Sequence, residues 1–193
     1  MNGVPLLLFF IYSCVTINLL LQCGLGINGA VDSKNTFAVS SLIKILIVFS
    51  SVIILWFFFS KIVFNLISGI FVYILLFPVS SIFYDGFEYL VFRYIYKKET
   101  EDTGFVHFPN GITAVALFLC VVLANSFLET FILSFGFTTG ILIINLIIRE
   151  VRKRATLEAV PVFLRGKPLV LITMGMLSLV FTTASLLLFR MIG

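Results

Sequence analysis

Six apolar stretches, separated by short polar punctuation, run through the chain at about 4–27, 37–59, 62–83, 105–124, 125–148 and 168–192. Each is close to the ~20 residues that a helix needs to cross a bilayer. The pattern predicts six helical spans. The turn at Ser60–Lys61 is so short that spans two and three read as an antiparallel hairpin. Between spans three and four, about 84–98, charged residues alternate with apolar ones at three- and four-residue spacing. That spacing predicts an amphipathic helix lying at the interface.

Three spans carry punctuation of their own. Span one ends in a glycine cluster at Gly24, Gly26 and Gly29, after polar Asn18 and Gln22. Those two are four apart and share a helix face. The face reads either as helix packing or as the lining of a pathway or cofactor site. Span four opens on Pro109, Asn110 and Gly111, a second candidate for a helix break. Pro78 in span three predicts a kink or the last turns of a helix. Lys44 stands near the start of span two, where its stem can snorkel to the interface. Glu129 stands near the start of span five. His107, the only histidine, reads as an interfacial side chain.

Composition turns this pattern into a class. Only 11% of residues are charged and 61% are hydrophobic, against about 25% charged in a soluble domain. The chain is therefore expected to be an all-α integral membrane protein, with 193 residues forming one transmembrane domain. The first apolar run lacks a basic start and a small-residue cleavage site, so it is expected to remain as a span. The net charge of +4 points to topology, not to nucleic acid. Arg149, Arg152, Lys153, Arg154, Arg165 and Lys167 cluster between spans five and six, with Glu150 and Glu158 among them. Cytoplasmic loops are enriched in such residues. This assignment puts both termini outside. Cys14, Cys23 and Cys120 lie in apolar stretches without a CxxC pair, which argues against disulfides. No GxSxG, phosphate-binding glycine loop or histidine-rich motif is present.

The charged segment also carries a resemblance. Ile148-Arg149-Glu150, Val160-Pro161, Leu164-Arg165-Gly166 and the I-T-x-G-x-M-x-L of Ile172–Leu179 occur in order. Together they resemble the last hairpin of the Rnf/Nqr membrane subunits, nearest the RnfA/NqrE branch. The likeness is good from about Ser126 onward and weaker before it. It implies two inverted three-helix repeats, spans one to three and four to six, with spans one and four as the broken ones. It also implies a bacterial inner-membrane subunit of a complex that couples electron transfer to Na+ or H+ movement. The implied partners are an inverted-topology homologous subunit and flavin- or iron–sulfur-bearing subunits. The expected contribution is scaffold, ion path or part of an electron relay, and not nucleotide chemistry.

In that family two cysteines of each paired subunit hold a 2Fe–2S cluster shared across the pair. Here Leu25-Gly26-Ile27-Asn28 stands where L-G-x-C is expected, so Asn28 replaces the first cysteine. An alternative alignment puts Gly26 there. Ala116 replaces the second, in Ile112-Thr113-Ala114-Val115-Ala116. Cys23 and Cys120 lie nearby. Two readings are open: they are shifted ligands, or they are buried cysteines that behave as small hydrophobes. A rival from another class is a stand-alone transporter of a small solute or ion.

Overall fold

A computed structural model describes residues 3–21, 39–63, 70–96, 109–157, 161, 164 and 166–192. Among them are six α-helices and no strand: α1 (Gly3–Ile11), α2 (Val39–Phe58), α3 (Ile70–Leu90), α4 (Pro109–Leu123), α5 (Phe127–Leu157) and α6 (Lys167–Ile192). The first three each run into a π-helical turn, at Tyr12–Thr16, Phe59–Val63 and Val91–Tyr96. Four segments are long and apolar enough to cross a membrane: Leu42–Ile62, Phe71–Leu90, Phe127–Ala155 and Lys167–Leu187. Two shorter apolar helices, Leu6–Thr16 and Gly111–Leu123, correspond to the expected spans one and four. Large apolar side chains such as Phe71, Ile82, Leu179 and Leu186 stand exposed on these helices.

Three expectations change. Pro78 neither ends nor breaks its helix, because α3 continues through it to Leu90. The segment from Tyr84, expected as an amphipathic extension, continues the same helix to Leu90 and the π-helical turn to Tyr96. Span five does not stop at Ile148. The residues from Ile148 to Leu157 include good helix formers and no glycine or proline, so α5 propagates into the charged segment. Arg154 Nε pairs with Glu150 Oε1 at 3.1 Å across one turn. Arg149 and Glu150 are therefore helical and exposed, not part of a loop. Span four shows no break between Pro109 and Leu123. Its proline falls at the helix start, where a missing N–H costs nothing.

The chain divides into two compact units, one of residues 1–38 with 136–193 and one of residues 39–135. This division falls inside α5 and cuts across the expected repeats of spans one to three and four to six.

In the unit of residues 39–135, α2, α3 and α4 pack on one another. Aromatic residues every fourth position on α5 meet two on α2. Phe49 makes edge contacts with Phe131 and Phe135 at 5.4 and 6.2 Å between centroids, and Trp56 lies 6.5 Å from Phe127. Tyr73 meets Phe118 at 5.8 Å. The α4–α5 turn is closed by side chains. Ser126 Oγ accepts from Glu129 N at 3.3 Å, and Glu129 Oε2 accepts from Asn125 N at 2.8 Å. This is close to a capping box, and it gives Glu129 a local structural duty. In the other unit, α6 packs on the first π-helical turn.

Replacing Ser126 by Ala is expected to cost about 1 kcal/mol, and Glu129→Gln less, because a glutamine still reaches back to the backbone. Thermal unfolding of the detergent-solubilised chain, followed by circular dichroism, checks both.

Candidate functional site

The break in span one is the feature of the sequence-flagged residues that the structure develops furthest. After α1 the chain widens into the π-helical turn, closed by Ile17 N donating to Tyr12 O at 3.0 Å. Ile17 then leaves the helix, with φ −107° and ψ 55°. The helix would ordinarily continue with the Asn18 amide bonded to Cys14 O. Here the Asn18 side chain takes over. Its Nδ2 donates to Cys14 O at 3.2 Å, and its Oδ1 accepts from Leu20 N and Leu21 N at 3.2 and 3.3 Å. One carboxamide thus serves a carbonyl before the break and two amides after it. Asn18 is 1% exposed, so water does not substitute. An unsatisfied backbone group in an apolar interior costs on the order of 1–3 kcal/mol.

Two glycines of α5 make room for this arrangement. A Cβ on Gly136 would lie 1.8 Å from Ser13 Oγ, 2.9 Å from Ser13 Cβ and 3.0 Å from Phe10 O. A Cβ on Gly140 would lie 2.8 Å from Cys14 O and 2.9 Å from Asn18 Nδ2. Glycines four apart let two helix backbones approach closely. Ser13 is fully buried, with its hydroxyl donating to Phe10 O at 3.0 Å. The G-F-T-T-G of residues 136–140 was the available signal for this contact, and the sequence reading passed over it.

The remaining sequence-flagged residues scatter. Gln22, Cys23, Gly24, Gly26, Asn28, His107 and Arg165 lie outside the described residues, as does the side chain of Asn110. Gly111 sits half-buried in the first turn of α4. Ala116 is 2% exposed and Cys120 0%. The Cys120 thiol is thus closed off within this chain. Among the described residues no group of three His, Cys, Asp or Glu side chains is placed to hold a metal ion. Cys14 is buried with a free thiol beside the break. Gly166 has φ +87°, a conformation that favours glycine, and its carbonyl accepts from Val170 N at 3.3 Å as α6 begins. That explains the glycine of the Leu164–Gly166 motif.

The fold and this helix end define a helical chain with four membrane-compatible helices and a short first one whose end is bonded by Asn18. No protein-family model matches the chain, and no curated protein is similar enough to count as a relative.

Gly140→Ala is expected to destabilise the chain by about 1–3 kcal/mol through overpacking, with little rescue from side-chain changes, because its closest clash is with the Cys14 carbonyl and the next with the Asn18 carboxamide that bonds it. Gly136→Ala should be comparably harmful, but partly rescued by Ser13→Ala, which removes the closest contact. A double-mutant cycle on unfolding free energy reads the difference.

Proposed function

We propose that this chain is a membrane subunit of an Rnf- or Nqr-like ion-translocating electron-transport complex. The observation that carries the reading is the ordered set of motifs from Ile148 to Leu179. In the structure Ile148–Glu150 lie on α5, Gly166 at the turn before α6, and Ile172–Leu179 on α6. On this reading the chain sits in a bacterial inner membrane with the Arg149–Lys167 segment in the cytoplasm and both termini outside. It works with an inverted homologous subunit and with flavin or iron–sulfur subunits. Its part is scaffold, ion path or part of an intramembrane electron relay.

The second reading is a stand-alone carrier, favoured by the ion pair between Lys44 and Glu88 inside two apolar segments. Affinity purification in mild detergent separates the two. The proposed subunit brings flavin-bearing and ferredoxin-like proteins with it, whereas recovery alone or as a homo-oligomer supports the carrier. In the recovered complex, Cys120→Ala is expected to leave the low-temperature EPR spectrum of the reduced sample unchanged. Loss of a signal in that variant would restore the cysteine as a cluster ligand.

A further inference from the structure

The C-terminal end of α5 carries a second polar feature, apart from the helix end at Asn18. This helix has 31 residues, a length of about 46 Å at 1.5 Å per residue. The hydrocarbon core of a bilayer is only ~30 Å thick. The apolar part of α5 runs to Ile148, and the turns beyond it, from Arg149 to Leu157, hold four basic residues and one acidic one. With the apolar part in the hydrocarbon, Arg149 to Arg154 fall at the depth of the lipid headgroups.

Because this segment is helical, each charge has a fixed place around the axis. Arg149 and Lys153 are four apart and both exposed, so they share a face with about 5–6 Å between their Cβ atoms. Leu146, three residues before Arg149, continues the same line and is 42% exposed, with Ile143 beside it at 37%. Glu150 is the one acidic residue of this helix end, and its carboxylate is turned to Arg154 on the neighbouring line. The exposed line through Leu146, Arg149 and Lys153 therefore reads apolar, then twice basic, with no carboxylate in it.

A topology signal requires net positive charge near the end of a span, wherever it falls around the helix. It makes no use of two cations one turn apart that stand directly above an exposed apolar strip. A phospholipid uses both parts. Its phosphate accepts charge-assisted hydrogen bonds, in a fork from a guanidinium and as a point charge from an ammonium. Its acyl chain lies where Leu146 and Ile143 face the hydrocarbon. The sign of the line also selects among lipids. A zwitterionic headgroup brings its own cation against Arg149 and Lys153, whereas a lipid of net negative charge does not.

We propose that Arg149 and Lys153 hold the headgroup of one anionic phospholipid, with an acyl chain of that lipid along Leu146 and Ile143. The bound lipid would anchor α5 at a set depth in the membrane. The inference rests on α5 crossing a bilayer and on neither reading of the chain's function, since a subunit and a stand-alone carrier would both use it.

The test is thermal unfolding of the full chain in detergent, titrated with phosphatidylglycerol or with phosphatidylcholine of the same acyl chains. Phosphatidylglycerol should raise the midpoint at the lower concentration. Arg149→Gln/Lys153→Gln should raise its half-saturating concentration by about tenfold or more, the scale of two surface cations acting on an anionic lipid. Arg154→Gln/Lys167→Gln removes the same charge off the line and should retain most of the preference. Equal responses to the two lipids in the unmutated chain overturn the proposal. So do equal losses in the two variants, which would make the effect one of net charge, and an equal rise with inorganic phosphate, which would make it one of a free anion. Should Arg149→Gln/Lys153→Gln not fold, Lys153→Gln decides: a weakened preference for phosphatidylglycerol supports the site, and an unchanged one overturns it. Either result leaves the copurification experiment free to succeed or fail by itself.

Discussion

Backbone hydrogen bonding is the constraint on which the structure turns. A helix in an apolar surrounding satisfies its own N–H and C=O groups, and any interruption must find substitutes within the protein. In span one the helix ends at Ile17, and Asn18 supplies the substitutes with both ends of one carboxamide. The rest of that unit is arranged to permit it. Gly136 and Gly140 remove the side chains that would collide with Ser13, Cys14 and Asn18, and α6 packs on the widened turn. Polar function and close packing are thus the same feature here. The residues that hold the break are also the ones that bring two backbones together.

The other unit solves its packing differently. It relies on aromatic contacts among α2, α3, α4 and α5 and on a capped turn between α4 and α5. Its polar side chains mostly turn back on their own helices. Ser51 donates to Val48 O and Ser80 to Phe77 O, each within one turn. Buried hydroxyls satisfied in this way cost little and leave the helix intact. The Lys44–Glu88 pair with Tyr84 beneath it departs from that habit.

Much of the helix count was legible because apolar length is a local property. The segments Leu42–Ile62 and Lys167–Leu187 lie close to their expected places. Asn18 was also legible, as a polar residue ahead of a glycine cluster in an oily run. Helix ends were less so. Phe83 and Ile148 looked like span ends, but α3 runs on to Leu90, and a run of basic residues continues a helix as readily as it ends one. Long-range pairings were invisible. Lys44 and Glu88 lie 44 positions apart in sequence, and each alone read as an interfacial charge. The deep burial of Cys120 likewise depends on helices whose packing no single stretch encodes.

The central claim, that the Asn18 carboxamide replaces the helical ladder at the break, is tested most directly by amide hydrogen exchange. The measurement compares Leu20 and Leu21 in the unmutated chain and in Asn18→Ala. The account predicts slow exchange at both amides in the unmutated chain and acceleration of about fivefold or more in the variant, the equivalent of losing a hydrogen bond of about 1 kcal/mol. Exchange that is already fast in the unmutated chain, or unchanged by the substitution, would contradict it.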